Sequence, residues 1–145
     1  MSFDRADWHY SGNYPADLPT EAASTHIGMF FAWVALHGLA GQLHTEEGPD
    51  ELRRLTERTI TPGFYVRAAM DEKFWPEDLS EEGIQFADAY YRSNGYYNDL
   101  ARITEGLPSI YHLPDSWESY ERVAPLIEEA FNRWKAEGAK TEPPQ

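Results

Sequence analysis

The most continuous apolar stretch runs from Ile27 to Leu36. Ile27, Met29, Phe30, Phe31, Trp33, Val34 and Leu36 cover nearly the whole circumference of a helix there. A soluble helix of that kind is buried on most sides. The pattern predicts a central helix from Thr20 to about Leu39, with Pro19-Thr20 at its start, Glu21 in its first turn, and Gly38 and Gly41 as stops.

The other periodic segments are amphipathic and predict helices arranged around this one. Pro49-Asp50-Glu51 opens a short helix through Arg58, and Thr61-Pro62 opens another that reaches about Asp71. Ser80-Glu81-Glu82 begins a helix whose face is Ile84, Ala87 and Tyr91, flanked by Phe86 and Tyr90, with Asn94-Gly95 as its stop. Residues 96–105 continue as a further helical segment. Asp115 and Glu118 have the spacing of a capping box for a last helix bearing Trp117, Tyr120, Val123, Ile127, Phe131 and Trp134. Pro125 predicts a kink or break near Glu121 to Ala124.

Residues 1–19 are punctuated by Gly12, Asn13, Pro15, Asp17 and Pro19, and read as an irregular arm held on the domain by Trp8, Tyr10 and Tyr14. Leu107 to Pro114 reads as extended, the only plausible strand. Residues 138–145 read as a polar tail. The expectation is one mainly α domain over 1–145, a compact bundle of five or six helices with little or no strand.

Charge narrows the functional classes. Twenty-five acidic residues against twelve basic ones give a formal charge of −13, which repels phosphate backbones and anionic lipid and attracts cationic surfaces. Neither nucleic acid nor a membrane is expected as a partner. The absence of cysteine excludes disulfides, thiolate metal sites and cysteine nucleophiles. The opening residues lack the layout of a signal peptide, and Ile27 to Leu36 is too short to span a bilayer. The cytoplasm is the expected compartment.

Chemistry is sparse. His26, His37 and His44 are spaced by eleven and seven residues, so along one helix they stand about 10 Å or more apart, where ligands at i and i+3 or i+4 would converge. No metal and no cofactor are expected. No serine lies in a nucleophile elbow, no glycine loop suits phosphate, and the paired carboxylates Glu46-Glu47, Glu81-Glu82 and Glu128-Glu129 diverge on a helix. No catalytic residue is assigned. The densest acidic stretch holds Asp71, Glu72, Glu77, Asp78, Glu81 and Glu82 around Phe74 and Trp75. It has the composition of an aromatic anchor within an anionic rim, and these eight residues are the candidate partner surface. The competing reading has Phe74 and Trp75 plugging the core and the acids solvated.

Phe3-Asp4-Arg5-Ala6-Asp7-Trp8-His9-Tyr10, the stretch from Asp17-Leu18-Pro19 to Thr25-His26-Ile27-Gly28-Met29-Phe30-Phe31-Ala32-Trp33, and Leu107-Pro108-Ser109-Ile110-Tyr111-His112 with Asp115-Ser116-Trp117-Glu118 resemble a bacterial family of small acidic proteins of unknown function. Such proteins are similar to the immunity proteins of contact-dependent and type VI secretion toxin systems. The resemblance implies a cytoplasmic inhibitor of a cognate toxin with a basic surface. It directs attention to Trp8, His9, Tyr10, His26, Trp33, Tyr111 and His112, either as aromatic locks holding the arm on the central helix or as the lining of a shared pocket. A small enzyme or ligand-binding protein using that pocket is the alternative function, and a homodimeric adaptor a third.

Overall fold

A computed structural model describes residues 1–139. Most of the tail expected over 138–145 therefore lies outside the described residues. Eight α-helices occur among them: α1 (Ala6–Tyr10), α2 (Thr25–Leu36), α3 (Gln42–Thr45), α4 (Pro49–Thr56), α5 (Pro62–Ala69), α6 (Glu81–Tyr90), α7 (Gly95–Ile103) and α8 (Trp117–Ala136). The architecture is mainly α, as the periodicity predicts, with more and shorter helices than five or six.

Helix α2 is the hub. Every residue from Thr25 to Val34 is buried, and α2 packs against α4, α5 and α8. The closest approach is to α5, where the absence of a side chain at Gly28 lets two backbones meet: a Cβ there would stand 2.3 Å from the Pro62 carbonyl oxygen. The predicted helix start is corrected, because residues Thr20–Ser24 form a 3-10 turn and the α-helix begins at Thr25. Gly38, at φ +72°, closes the helix end as expected.

Capping chemistry sets the surrounding helices. Thr61 accepts from the Phe64 N–H ahead of Pro62, and Ser80 from the Gly83 N–H. Asn94, in the left-handed region, turns the chain from α6 into α7. At α8 the cap is Ser116 and not Asp115: Ser116 accepts from the Ser119 N–H, while Asp115 accepts from Thr61 Oγ1 and the Gly63 N–H. Helix α8 runs unbroken through Pro125, so the expected break is absent; Pro125 lies on the exposed side, and the apolar stripe of Val123, Ile127 and Trp134 stays buried.

The arm is structured. Asp4–Arg5 (β1) pairs antiparallel with Lys73–Phe74 (β2), Asp4 opposite Phe74, and α1 follows at once. Leu107 to Pro114, expected as the strand, instead holds a 3-10 turn at Ile110–His112. The prolines that bracket it keep it from a ladder, and Ser109 caps the turn by accepting from the Tyr111 N–H. Rings fill the centre: Phe30 touches Phe74, Phe86, Tyr91 and Tyr96, and Trp33 touches Phe86 and Phe131.

Candidate functional site

The β1–β2 pairing drives one carboxylate into the interior. Asp4 is 1% exposed, and five donors converge on it. Oδ1 accepts from the Arg5 N–H and lies 2.7 Å from His9 Nε2; Oδ2 lies 3.1 Å from His26 Nε2 and accepts from the hydroxyls of Tyr91 and Tyr97, each at 2.5 Å. Each partner is delivered by a different local rule. His9 stands on α1 five residues beyond Asp4, His26 in the first turn of α2, Tyr91 just after α6, and Tyr97 in the first turns of α7.

Burial alone would push the Asp4 carboxyl up. The hydrogen bonds from His26 and His9 and their charge outweigh it and hold the group far below the usual carboxylate range. Burial pushes the His26 imidazole down, countered in part by Asp4. The Tyr91 and Tyr97 hydroxyls are pushed well up, first by burial and then by the Asp4 charge. The cluster therefore sets an ionised carboxylate against two tyrosine hydroxyls that keep their protons and two imidazole nitrogens. His26 Nδ1 is buried with no hydrogen-bond partner, as is Ser24 Oγ.

A second feature repeats this chemistry. His9 Nδ1 lies 2.6 Å from the Tyr111 hydroxyl, so Asp4, His9 and Tyr111 form a carboxylate–imidazole–hydroxyl chain. Asp78, His44 and Tyr65 form another, at 2.8 and 2.6 Å, and Asp17, His112 and Ser109 a third, at 3.1 and 2.8 Å. In each, Nε2 faces the carboxylate and Nδ1 the hydroxyl, so one ring ties two sequence-distant segments together in the His9 and His112 chains and three in the His44 chain.

The resemblance-based residues divide accordingly. His9, His26 and Tyr111 converge on the Asp4 cluster. His112 belongs to the chain through Asp17 and, with Tyr111, lines a hollow of about 290 Å³ beside Leu18, Thr25 and Asp115. Trp33 stands apart in the core, its ring stacked on His37 and its indole N–H donated to Glu128. Tyr10 lines a small cleft with Arg5, Asp7, Asp71, Glu72 and Lys73. Trp8 points outward, 54% exposed.

The expected partner surface is also redistributed, and part of it must be corrected. Phe74 is wholly buried and Asp78 nearly so, the first against Phe3 and Phe30 and the second against His44. Neither is available to a partner. Glu82 pairs with Lys135, Asp71 with Lys73. Trp75 remains 37% exposed, while Glu77 and Glu81 rim an open groove of about 540 Å³ shared with Glu47 and Leu43. Leu43 is 46% exposed, and Glu47, Glu77 and Glu81 form no ion pair among the described residues.

Residues 2–113 match the family described as domain of unknown function DUF7832. The chain belongs to that family. All seven residues of the Asp4 cluster and its Tyr111 extension lie within the matched DUF7832 span, whereas α8 follows it. No curated protein and no solved structure matches the chain.

Sequence reasoning missed Asp4, Tyr91, Tyr97, Tyr65, Asp17 and Ser109. The usable signals were the buried-looking Phe3-Asp4 step and the doubled tyrosines Tyr90-Tyr91 and Tyr96-Tyr97, which place hydroxyls on the faces of successive helices.

Proposed function

We propose that this DUF7832 protein is a bacterial immunity protein that neutralises a cognate toxin by direct contact and performs no catalysis of its own. The observation that carries this reading is the groove between α3 and the segment around Glu77 to Glu81. An exposed leucine sits there inside a rim of three carboxylates that form no ion pair among the described residues. Apolar contact at the floor holds a partner once docked, and the anionic rim speeds the approach of a cationic surface. The overall charge of −13 acts in the same direction. Trp75, two residues before Glu77, supplies an aromatic anchor at the margin of this face.

Killing by sibling cells tests the proposal. Deleting the gene from the bacterium that carries it should make those cells sensitive to contact with the parent strain, and the intact gene should restore protection. A variant with Glu47, Glu77 and Glu81 all changed to lysine should fold normally, because these side chains are exposed and form no ion pair among the described residues, yet fail to protect. Survival of the deletion strain beside its parent would overturn the immunity reading. Full protection by the triple-lysine variant would overturn the groove as its surface.

A further inference from the structure

We propose that Asp4, His9 and His26 form a binding site for one divalent transition-metal ion of the zinc type, with the Tyr97 hydroxyl as the fourth ligand. The expectation of no metal rested on histidines spaced along one helix. This site draws its ligands from β1, α1, α2 and α7 instead, and the ligand atoms of Asp4, His9 and His26 all lie within 4.8 Å of one another. The contacts among them and the Tyr97 hydroxyl are 2.5 to 3.3 Å long. Atoms 2.5–3.3 Å apart subtend roughly 75–105° at an ion about 2.1 Å from each, which places a compact N₂O₂ set within reach of one ion.

Two observations favour an ion over a purely hydrogen-bonded hub. An ionised carboxylate offers roughly four lone-pair sites, and Asp4 faces five donors. Both imidazoles also turn the same nitrogen to it, the rings nearly perpendicular with centroids 4.6 Å apart. When an ion takes the two Nε2 lone pairs, each ring carries its proton on Nδ1, and no net proton is gained or lost by the two rings. Asp4 then keeps three donors, the Arg5 N–H and the two tyrosines, plus the metal. His9 Nδ1–H donates to the Tyr111 oxygen 2.6 Å away, the outer partner that fixes a metal-bound histidine. Two imidazoles make this a site for zinc-like ions in preference to magnesium or calcium. Tyr111 also borders the surface hollow with Thr25 and His112, which marks the side from which an ion enters.

The test uses the full chain, stripped with a chelator and exchanged into buffer. Titration with Co²⁺, followed by its visible ligand-field bands, and with Zn²⁺ by calorimetry, should show one equivalent bound at micromolar Kd or tighter. Thermal melting should move up by several degrees, since the ion binds only the folded chain. Tyr111→Phe, which leaves every ligand in place, should weaken binding about tenfold. His9→Ala should weaken it by more than about 100-fold, while His112→Ala should bind like the parent. Proton–nitrogen correlation spectra of the unaltered protein give a readout that needs no variant: zinc should move the protons of His9 and His26 from Nε2 to Nδ1. A folded parent that takes up neither Co²⁺ nor Zn²⁺, or His9 and His26 rings that keep Nε2–H in saturating zinc, would overturn the site.

Discussion

Asparagine has the size and shape of aspartate, so Asp4→Asn removes a charge from the interior without opening a cavity. Its amide presents one acceptor oxygen where the carboxylate presents two. Whichever way the amide is turned, its NH₂ faces donors: the Arg5 N–H and His9 on one side, or His26, Tyr91 and Tyr97 on the other. Hydrogen bonds to a charged group contribute about 1.5–3 kcal/mol each, and breaking a buried ionic contact costs about 3–5 kcal/mol. The expected loss in metal-free protein at pH 7 is about 3–5 kcal/mol, a large part of the 5–15 kcal/mol that holds a typical domain. Urea unfolding, with the chelator present throughout, measures it. Because the folded-state pKa of Asp4 is depressed, its stabilisation is fully present above the unfolded value of about 3.9 and is lost as pH falls below it. The gap between parent and variant should therefore be flat from about pH 8 to 5 and shrink towards pH 3. A variant within about 1 kcal/mol of the parent at pH 7, or a gap that widens in acid, would refute the ionised hub.

Two further substitutions probe the frame around the site. Gly28→Ala must push α2 off the α5 backbone by about 1 Å; overpacking of 1–3 kcal/mol or more should outweigh the gain of about 1 kcal/mol in helix propensity, whereas Gly106→Ala, with nothing within 4 Å, should be near neutral in the same melts. Trp33→Ala should cost about 3–5 kcal/mol by emptying a fully buried aromatic position, and a urea midpoint near that of the parent would remove α2 from the centre of the core.

What the sequence discloses depends on how local each signal is. Helix α2 is legible because its apolar residues occupy every face, and the starts of α5 and α6 because Thr61 and Ser80 cap within three residues. The arm is not legible, since β1 is two residues long and its register is set by Phe74, some seventy residues away. Asp4 is one carboxylate among many until that pairing turns it inward. Phe74 and Trp75 are neighbours of similar hydropathy, yet strand alternation sends the first into the core and leaves the second at the surface. For the same reason the acidic stretch looked like one surface: position along the chain does not show that Asp78 turns in to His44 while Glu77 and Glu81 turn out.

The chain emerges from the ribosome in order, and Asp4 leaves it well before Lys73 and Phe74 can give it a strand to join or Tyr91, Tyr97 and Tyr111 can complete its surroundings. Until then its charge is best left in water, so the opening segment gains nothing by docking early and the nascent α2 must wait with part of its apolar surface uncovered. Closure of the arm comes as a late step, governed by contacts about ninety to a hundred residues apart. A substitution in the arm should accordingly speed unfolding far more than it slows folding, which makes the lifetime of the finished protein in the cell, more than its yield from synthesis, the quantity those few residues control.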